Sequence, residues 1–280
     1  MQLQQLGQLF AKESIKLEEE LISIRRHLHK YPELSFQEFE TSAYVEKKLN
    51  EWGIENKRVG KTGIVAWVKG NKEKTSGEAT YTIGLRADMD ALPIKEETGL
   101  PFSSVHEGVM HACGHDGHTA ILLGASRILH ENRKHFNGMV VCVFQPGEED
   151  NGAAQEMIEL GVLEDPKIDA MIALHLWPYL PFGKVGVRSG SMTASCDDFT
   201  IEVFGKSGHG ARPHEGVDAI SVSTQIMQAI QQLITKMNNP LHPIVVHIGE
   251  FKGGSARNIV AEHAVLEGTI RALSLETRKK

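Results

Sequence analysis

Cysteine, positive charge and long apolar runs are all in short supply in this sequence, and each shortage closes off a class of protein. The three cysteines, Cys113, Cys142 and Cys196, are an odd count without framework spacing. That excludes a disulfide-stapled secreted scaffold and suits a reducing cytoplasm, where a thiol stays available. The formal net charge is −6, so no basic field draws nucleic acid or an anionic membrane. The longest apolar stretches, such as 139–144, are far too short to span a bilayer. Near the start, Lys12 and Lys16 alternate with Glu13 and Glu18 to Glu20, without the apolar core of a secretory signal. What is present, 41% hydrophobic and 24% charged residues over 280 positions, is a soluble globular composition long enough for two domains.

Periodicity organises the chain. Apolar residues from Leu6 to Leu28 follow a broken helical period that Tyr31-Pro32 stops. A helix over 41–52 follows, then strands over 63–68 and 80–87, a helix over 119–130, a buried strand over 139–144, a helix over 153–160 and a buried strand over 169–174. Strands that read as continuous apolar runs and alternate with helices predict an α/β domain with a mostly parallel sheet flanked by helices. Composition shifts near Trp177-Pro178, with Pro181, Gly183, Gly186 and Gly190 following. Beyond it a strand (198–204), a helix (218–237) and two strands (244–251, 258–272) predict a smaller α+β sandwich. The expected domains are 1–186 and 187–280. The sandwich would want a second covering helix and another strand beyond Arg278-Lys279-Lys280.

Within eight residues the chain reads His111-Ala112-Cys113-Gly114-His115-Asp116-Gly117-His118. Thiolate, imidazole and carboxylate together are what a divalent transition metal selects. Glu148-Glu149 follows one predicted strand, His175 another, and Asp88-Met89-Asp90 a third. Ligand sites in open α/β sheets gather beyond the carboxyl ends of strands, so three placements agree on one site. Adjacent carboxylates point in different directions, so one of the Glu148-Glu149 pair can bind metal while its neighbour serves as the base for an activated water. The pair could instead satisfy a helix dipole, but following a buried strand beside other ligands favours the metal. Asp88 and Asp90 are read as carboxylates that orient a ligand histidine. His111 and His118 are read as packing or supporting groups. His27 and His29 stand two apart on a helix, so they do not share a face and are read as structural or surface residues. A Cys113–His nucleophile pair is the competing chemistry, and it leaves Glu148, Glu149 and His175 without a role.

These residues carry a resemblance. Arg25-Arg26-His27-Leu28-His29, Pro32-Glu33, 85–93, 110–118, 145–149, 173–175, Gly208-His209 with Pro213-His214, 256–258 and 268–271 together make the chain similar to the aminoacylase–carboxypeptidase family of dinuclear metallohydrolases. It most resembles the branch of hippurate hydrolases, auxin-conjugate amidohydrolases and bacterial N-acyl-amino-acid or N-acetyl-diaminopimelate deacylases. The resemblance implies Cys113, His115, Glu149 and His175 as ligands of two divalent ions (zinc, manganese or cobalt) and Glu148 as general base. It implies that the smaller domain is a lid that also mediates a homodimer, and that His209 reaches the partner's site to steady the oxyanion. Asn258 and Arg271 would hold the substrate carboxylate, the guanidinium bidentately. The implied activity is hydrolysis of N-acyl amino acids to a carboxylic acid and a free amino acid in the cytoplasm, with carboxypeptidase or dipeptidase activity as the nearest alternative. Family members continue through the lid, return to the catalytic domain and supply one more ligand histidine. Ending before that makes a metal-binding or dimerising fragment without turnover the other alternative.

Overall fold

A computed structural model describes residues 3–73, 79–150 and 152–279; Lys280, the last of the closing basic residues, lies outside them. The chain divides into two compact units, one ending at Tyr179 and the other starting at Leu180, a few residues before the passage placed at 186/187 from sequence.

The first unit is built on a five-stranded sheet in the order β1-β2-β4-β3-β5, with β1 Glu55–Val59, β2 Gly63–Lys69, β3 Thr82–Asp88, β4 Met139–Gln145 and β5 Ala170–Ala173. The strands that lead into the motifs, β3, β4 and β5, run parallel to one another, whereas β1 and β2 join as an antiparallel hairpin and β2 pairs antiparallel with β4. In-register pairing brings Asp88 level with Gln145, so β3 and β4 end side by side and release their motifs on the same edge of the sheet.

Both faces of this sheet are covered, which is why its strands read as continuous apolar runs. On one face Ile64, Ala66, Cys142 and Phe144 pack with Ile24 and Leu28 of α2 (Glu18–Lys30), Val45 and Leu49 of α3 (Phe39–Glu51) and Leu123 of α4 (His115–Glu131). On the other, Val65, Val141 and Val143 meet Met157 of α5 (Ala153–Glu159). The alternation along β4, with 141 and 143 one way and 142 and 144 the other, is the strand period made visible. The first helical stretch is broken as its period suggested, into α1 (Leu3–Lys16) and α2. Strand β5 lies at the sheet edge with all four residues exposed.

The second unit is a three-stranded antiparallel sheet, β6 (Asp197–Phe204), β10 (His263–Ala272) and β8 (Ile244–Gly253), ordered β6-β10-β8. Helix α6 (Ala219–Met237) lies on it, capped by the Asp218 side chain accepting from the Ile220 N–H. A short pair, β7 (Gly208–His209) with β9 (Ile259–Val260), stands apart. The single strand expected over 258–272 is therefore two, interrupted at Ala261-Glu262, and a short helix α7 (Leu275–Arg278) follows.

Leu123 has no exposed surface and sits where α4 meets the sheet. Truncating such a side chain removes its transfer energy and leaves a cavity. Leu123→Ala should lower the unfolding free energy by about 2–5 kcal/mol, read as a drop in the urea midpoint with an unchanged slope.

Candidate metal centre

The end of β3 delivers Asp88 and the loop after it Asp90, the loop that follows β4 delivers Glu148 and Glu149, and β5 runs out into His175. Cys113 and His115 come from the entry to α4, whose N-cap is Gly114 at φ 87°. A left-handed residue costs glycine no steric energy, and it lets the chain turn sharply between Cys113 and His115. The helix starts four residues before the predicted 119 because Gly117, a poor helix former, made its first turn read as loop.

His115 is the fixed point. It is 1% exposed, and its Nδ1–H donates to the Asp90 main-chain carbonyl at 2.9 Å. That leaves Nε2 as a lone pair with no hydrogen-bond partner, at 3.6 Å from Asp88 Oδ2, 3.8 Å from Glu149 Oε1 and 4.0 Å from Glu148 Oε2. An acceptor facing three carboxylates with no donor among them needs a cation. On the neighbouring side, Cys113 Sγ lies 3.4 Å from His175 Nε2. Among the described residues, Cys113, His115 and His175 form one group able to hold a metal, His115, Glu148 and Glu149 a second, and Asp88, His115 and His118 a third. His115 belongs to all three. Sulfur, imidazole and carboxylate donors of this kind fit a divalent transition metal.

The surroundings hold these donors in place. Asp90 Oδ2 accepts from the Glu149 N–H at 2.9 Å and the Ser35 hydroxyl at 2.7 Å. Burial disfavours its charge, but the His115 ring and these donors outweigh that and hold the carboxyl down at about 2. Asp88 is likewise lowered against its burial, by the His118 ring, His115 and Arg86; Arg86 Nη1 donates to it at 2.7 Å. Burial pushes the Cys113 thiol up to about 12, and the Glu149 and Glu148 carboxylates add to the rise. A thiol so disposed is a poor free nucleophile and becomes a thiolate only beside a cation. Burial and the Glu149 charge raise Glu148.

Several supports lie far away in sequence. Glu38, with no exposed surface, accepts from the Gly147 N–H at 2.8 Å and the Thr62 hydroxyl at 2.7 Å, fixing the loop that bears Glu148. His29 is buried, with Nδ1 donating to Asp116 at 2.9 Å; Arg25 Nε donates to the same carboxylate oxygen at 2.7 Å. The hydrogen bond to Asp116 raises His29. His27 instead stacks on Tyr44. His111 is buried with neither ring nitrogen hydrogen-bonded, and burial pushes it down to about 4.

The structure thus brings Cys113, His115, Glu148, Glu149, His175, Asp88 and Asp90 together. His209, Asn258 and Arg271 belong to the second unit. There β7 pairs with β9 and the Gly210 N–H donates to the Asn258 carbonyl at 2.8 Å, so His209 and Asn258 are neighbours. Arg271 stands on β10 opposite Val245, and all three residues are exposed. The sequence reading missed Glu38 and the Arg25–His29–Asp116 group. Arg25, His29 and Asp116 do lie in stretches that carry the resemblance, but no local pattern links them across 87 positions.

Comparison with known proteins agrees with this geometry. The profile of peptidase family M20/M25/M40 matches residues 84–267. The chain is 46% identical over 265 residues to the N-acetyl-L-cysteine deacetylase of Bacillus subtilis strain 168, covering 94% of this chain and 62% of that protein. It is 40% identical over 269 residues to thermostable carboxypeptidase 1 of Saccharolobus solfataricus, covering 95% and 66%. Among solved structures, the Bacillus subtilis YXEP protein, a dinuclear metal binding peptidase from the M20 family, superposes with a TM-score of 0.77 at 38% identity, covering 94% of this chain and 67% of that one. The chain spans a little under two thirds of the length of such curated relatives.

A metal held at His115 Nε2 would compete there with a proton. Burial lowers the affinity of this ring for a proton, but Asp90, Asp88 and Glu149 outweigh that and raise it above the ordinary histidine value. The proton therefore displaces metal from a higher pH than it would at an ordinary histidine. Cobalt(II) affinity, followed by its visible absorption, should fall progressively as pH drops through that raised value. His115→Ala should abolish binding at every pH.

Proposed function

The chain belongs to peptidase family M20/M25/M40, and from that membership we propose that it is a metal-dependent amidohydrolase of N-acyl amino acids. The observation that carries this reading is the buried His115 Nε2, which lacks a partner and faces carboxylates, with Cys113 and His175 alongside. Cys113, His115, Glu149 and His175 would hold two divalent ions, zinc, manganese or cobalt, which when bound polarise an acyl carbonyl and acidify water.

The residues supply the rest. Glu148 follows a rigid strand and has a raised carboxyl, which suits a base that takes a proton from water near neutral pH and passes it to the leaving amine. His209 accepts from the Ala211 N–H on Nδ1 at 3.1 Å, so its proton sits on Nε2, where it can donate to an oxyanion. One such donor is worth about 3 kcal/mol in the transition state. In this reading the second unit also makes a homodimer, and His209 serves the site of the partner. Asn258 and Arg271 grip the carboxylate that every N-acyl amino acid carries. The three free cysteines suit a reducing compartment such as the cytoplasm. No helix among the described residues is long and apolar enough to cross a membrane.

A second reading, removal of a C-terminal residue from a peptide, is favoured by the likeness to a carboxypeptidase. Both substrates place an amide beside a free carboxylate. A panel of N-acetyl amino acids and dipeptides, assayed after zinc or manganese loading, separates the two. Turnover of neither, at full metal occupancy, would leave the chain a metal-binding fragment.

Glu148→Gln should retain metal and lose about 10²–10⁴-fold in kcat, measured by amine release; a residual rate near that of the parent would remove Glu148 from the mechanism. His209→Ala should lower kcat by about 10²–10³-fold and regain activity when mixed with inactive Glu148→Gln chains that carry an intact His209. Failure of that complementation would rule out a shared site.

A further inference from the structure

His118, in the first turn of α4, is the one histidine of the 111–118 stretch whose two ring nitrogens are both engaged by the protein. Its Nδ1 lies 2.6 Å from Asp88 Oδ1, within hydrogen-bond distance. Its Nε2 lies 2.8 Å from the Leu176 backbone nitrogen, whose N–H can only donate, so Nε2 offers its lone pair. The ring is therefore the neutral Nδ1–H tautomer, spent at both ends. Although His118 falls in a group that could hold a metal with Asp88 and His115, binding through Nε2 would cost it the Leu176 amide.

What that amide holds is the question. Strand β5 ends at Ala173, is paired on one side only, and is exposed throughout. No strand pairing continues through Leu174 to Trp177, so the sheet does not fix His175. The orientation of His175 comes from Leu176: its Nδ1 donates to the Leu176 carbonyl at 2.7 Å, which leaves Nε2 aimed at Cys113 Sγ. The same residue is seated on α4. A Cβ at Gly117 would stand 2.5 Å from Leu176 Cδ1, and one at Gly114 would stand 3.4 Å from it. The His118 and His175 rings meet edge to face with centroids 4.6 Å apart. Leu176 is held at the entry to α4, by the His118 ring and by close packing against Gly114 and Gly117.

We propose that His118 is a positioning residue, strung between the Asp88 carboxylate and the Leu176 amide so that His175 is held as a metal ligand opposite Cys113. The inference rests on the reading of His175 as a ligand and goes beyond it: the Gly-His-Asp-Gly-His turn contributes a ligand at its first histidine and a seat for another ligand at its second. Supporting groups of this kind change metal affinity by about 10–100-fold.

The test uses the whole chain and zinc alone, in competition with a chromophoric chelator, on the parent, His175→Ala, His118→Asn and His118→Gln. An asparagine amide reproduces Nδ1 and its contact with Asp88; a glutamine amide reaches the position of Nε2 and can accept from Leu176. His118→Asn should weaken zinc about 10–100-fold, and His118→Gln should recover most of that loss. Long-range proton–nitrogen NMR of the parent should show the Nδ1–H tautomer at His118 both without and with zinc, a readout that needs no variant to fold. A ring protonated on Nε2, or an Nε2 signal displaced by zinc, overturns the proposal, as does zinc affinity in His118→Asn equal to the parent. If His175→Ala itself leaves zinc affinity unchanged, the reading of His175 as a ligand fails first, and the seat proposed for it falls with it.

Discussion

The concentration of negative charge around one buried imidazole governs this site. Asp88, Asp90, Glu148 and Glu149 all converge on His115. Oxygens of Glu148 and Glu149 lie within 4.8 Å of each other, where two unit charges repel by on the order of 3 kcal/mol at an effective dielectric near 20. Arg86 offsets part of this at Asp88, and backbone N–H groups offset part at Asp90. Among the described residues, His115 Nε2 has no hydrogen-bond partner to offset it. The fold has assembled anions around a lone pair, a setting that favours positive charge at Nε2, whether a proton or a metal ion.

The sheet makes that assembly possible by ending β3 and β4 at the same level. Asp88 opposes Gln145 in the parallel register, and Arg86 stitches the two ends by donating to Gln145 Oε1 at 2.8 Å and to Asp88. A register slip of one residue would turn every side chain to the other face, and the apolar packing on both faces forbids it. Core packing and ligand placement are thus the same constraint: the interdigitation of Val141, Cys142, Val143 and Phe144 that stabilises the first unit also fixes where Glu148 emerges.

Much of this was legible in the sequence, because it is written in local patterns. Continuous apolar runs marked β2, β3, β4 and β5, and residues of ligand type follow three of them closely. The misses have physical causes. Strand β1 reads Glu55-Asn56-Lys57-Arg58-Val59, with only Val59 buried, so no alternation announces it. Helix α4 begins at His115 rather than near Thr119 because tertiary contacts hold a glycine-bearing first turn in helix against its propensity. The pairing of His29 with Asp116 spans 87 positions, and that of Glu38 with Gly147 spans 109; such contacts leave no periodic trace. His27 and His29 were rightly separated by helical geometry, yet nothing local says that one stacks on a tyrosine and the other braces Asp116 in the first turn of α4.

Asp90 shows why the supports cannot be treated one at a time. Its main-chain carbonyl sets the tautomer of His115, and its side chain holds the amide of Glu149. It is also tied to Ser35, three residues before Glu38, which holds Gly147. Two buried carboxylates, one from the end of a strand and one from the turn before α3, therefore clamp consecutive parts of the same loop. Residues that share partners in this way couple energetically instead of adding. The loop bearing Glu148 and Glu149 is held as a unit with His115, and a change that loosens either clamp is felt at a side chain that the altered residue never touches.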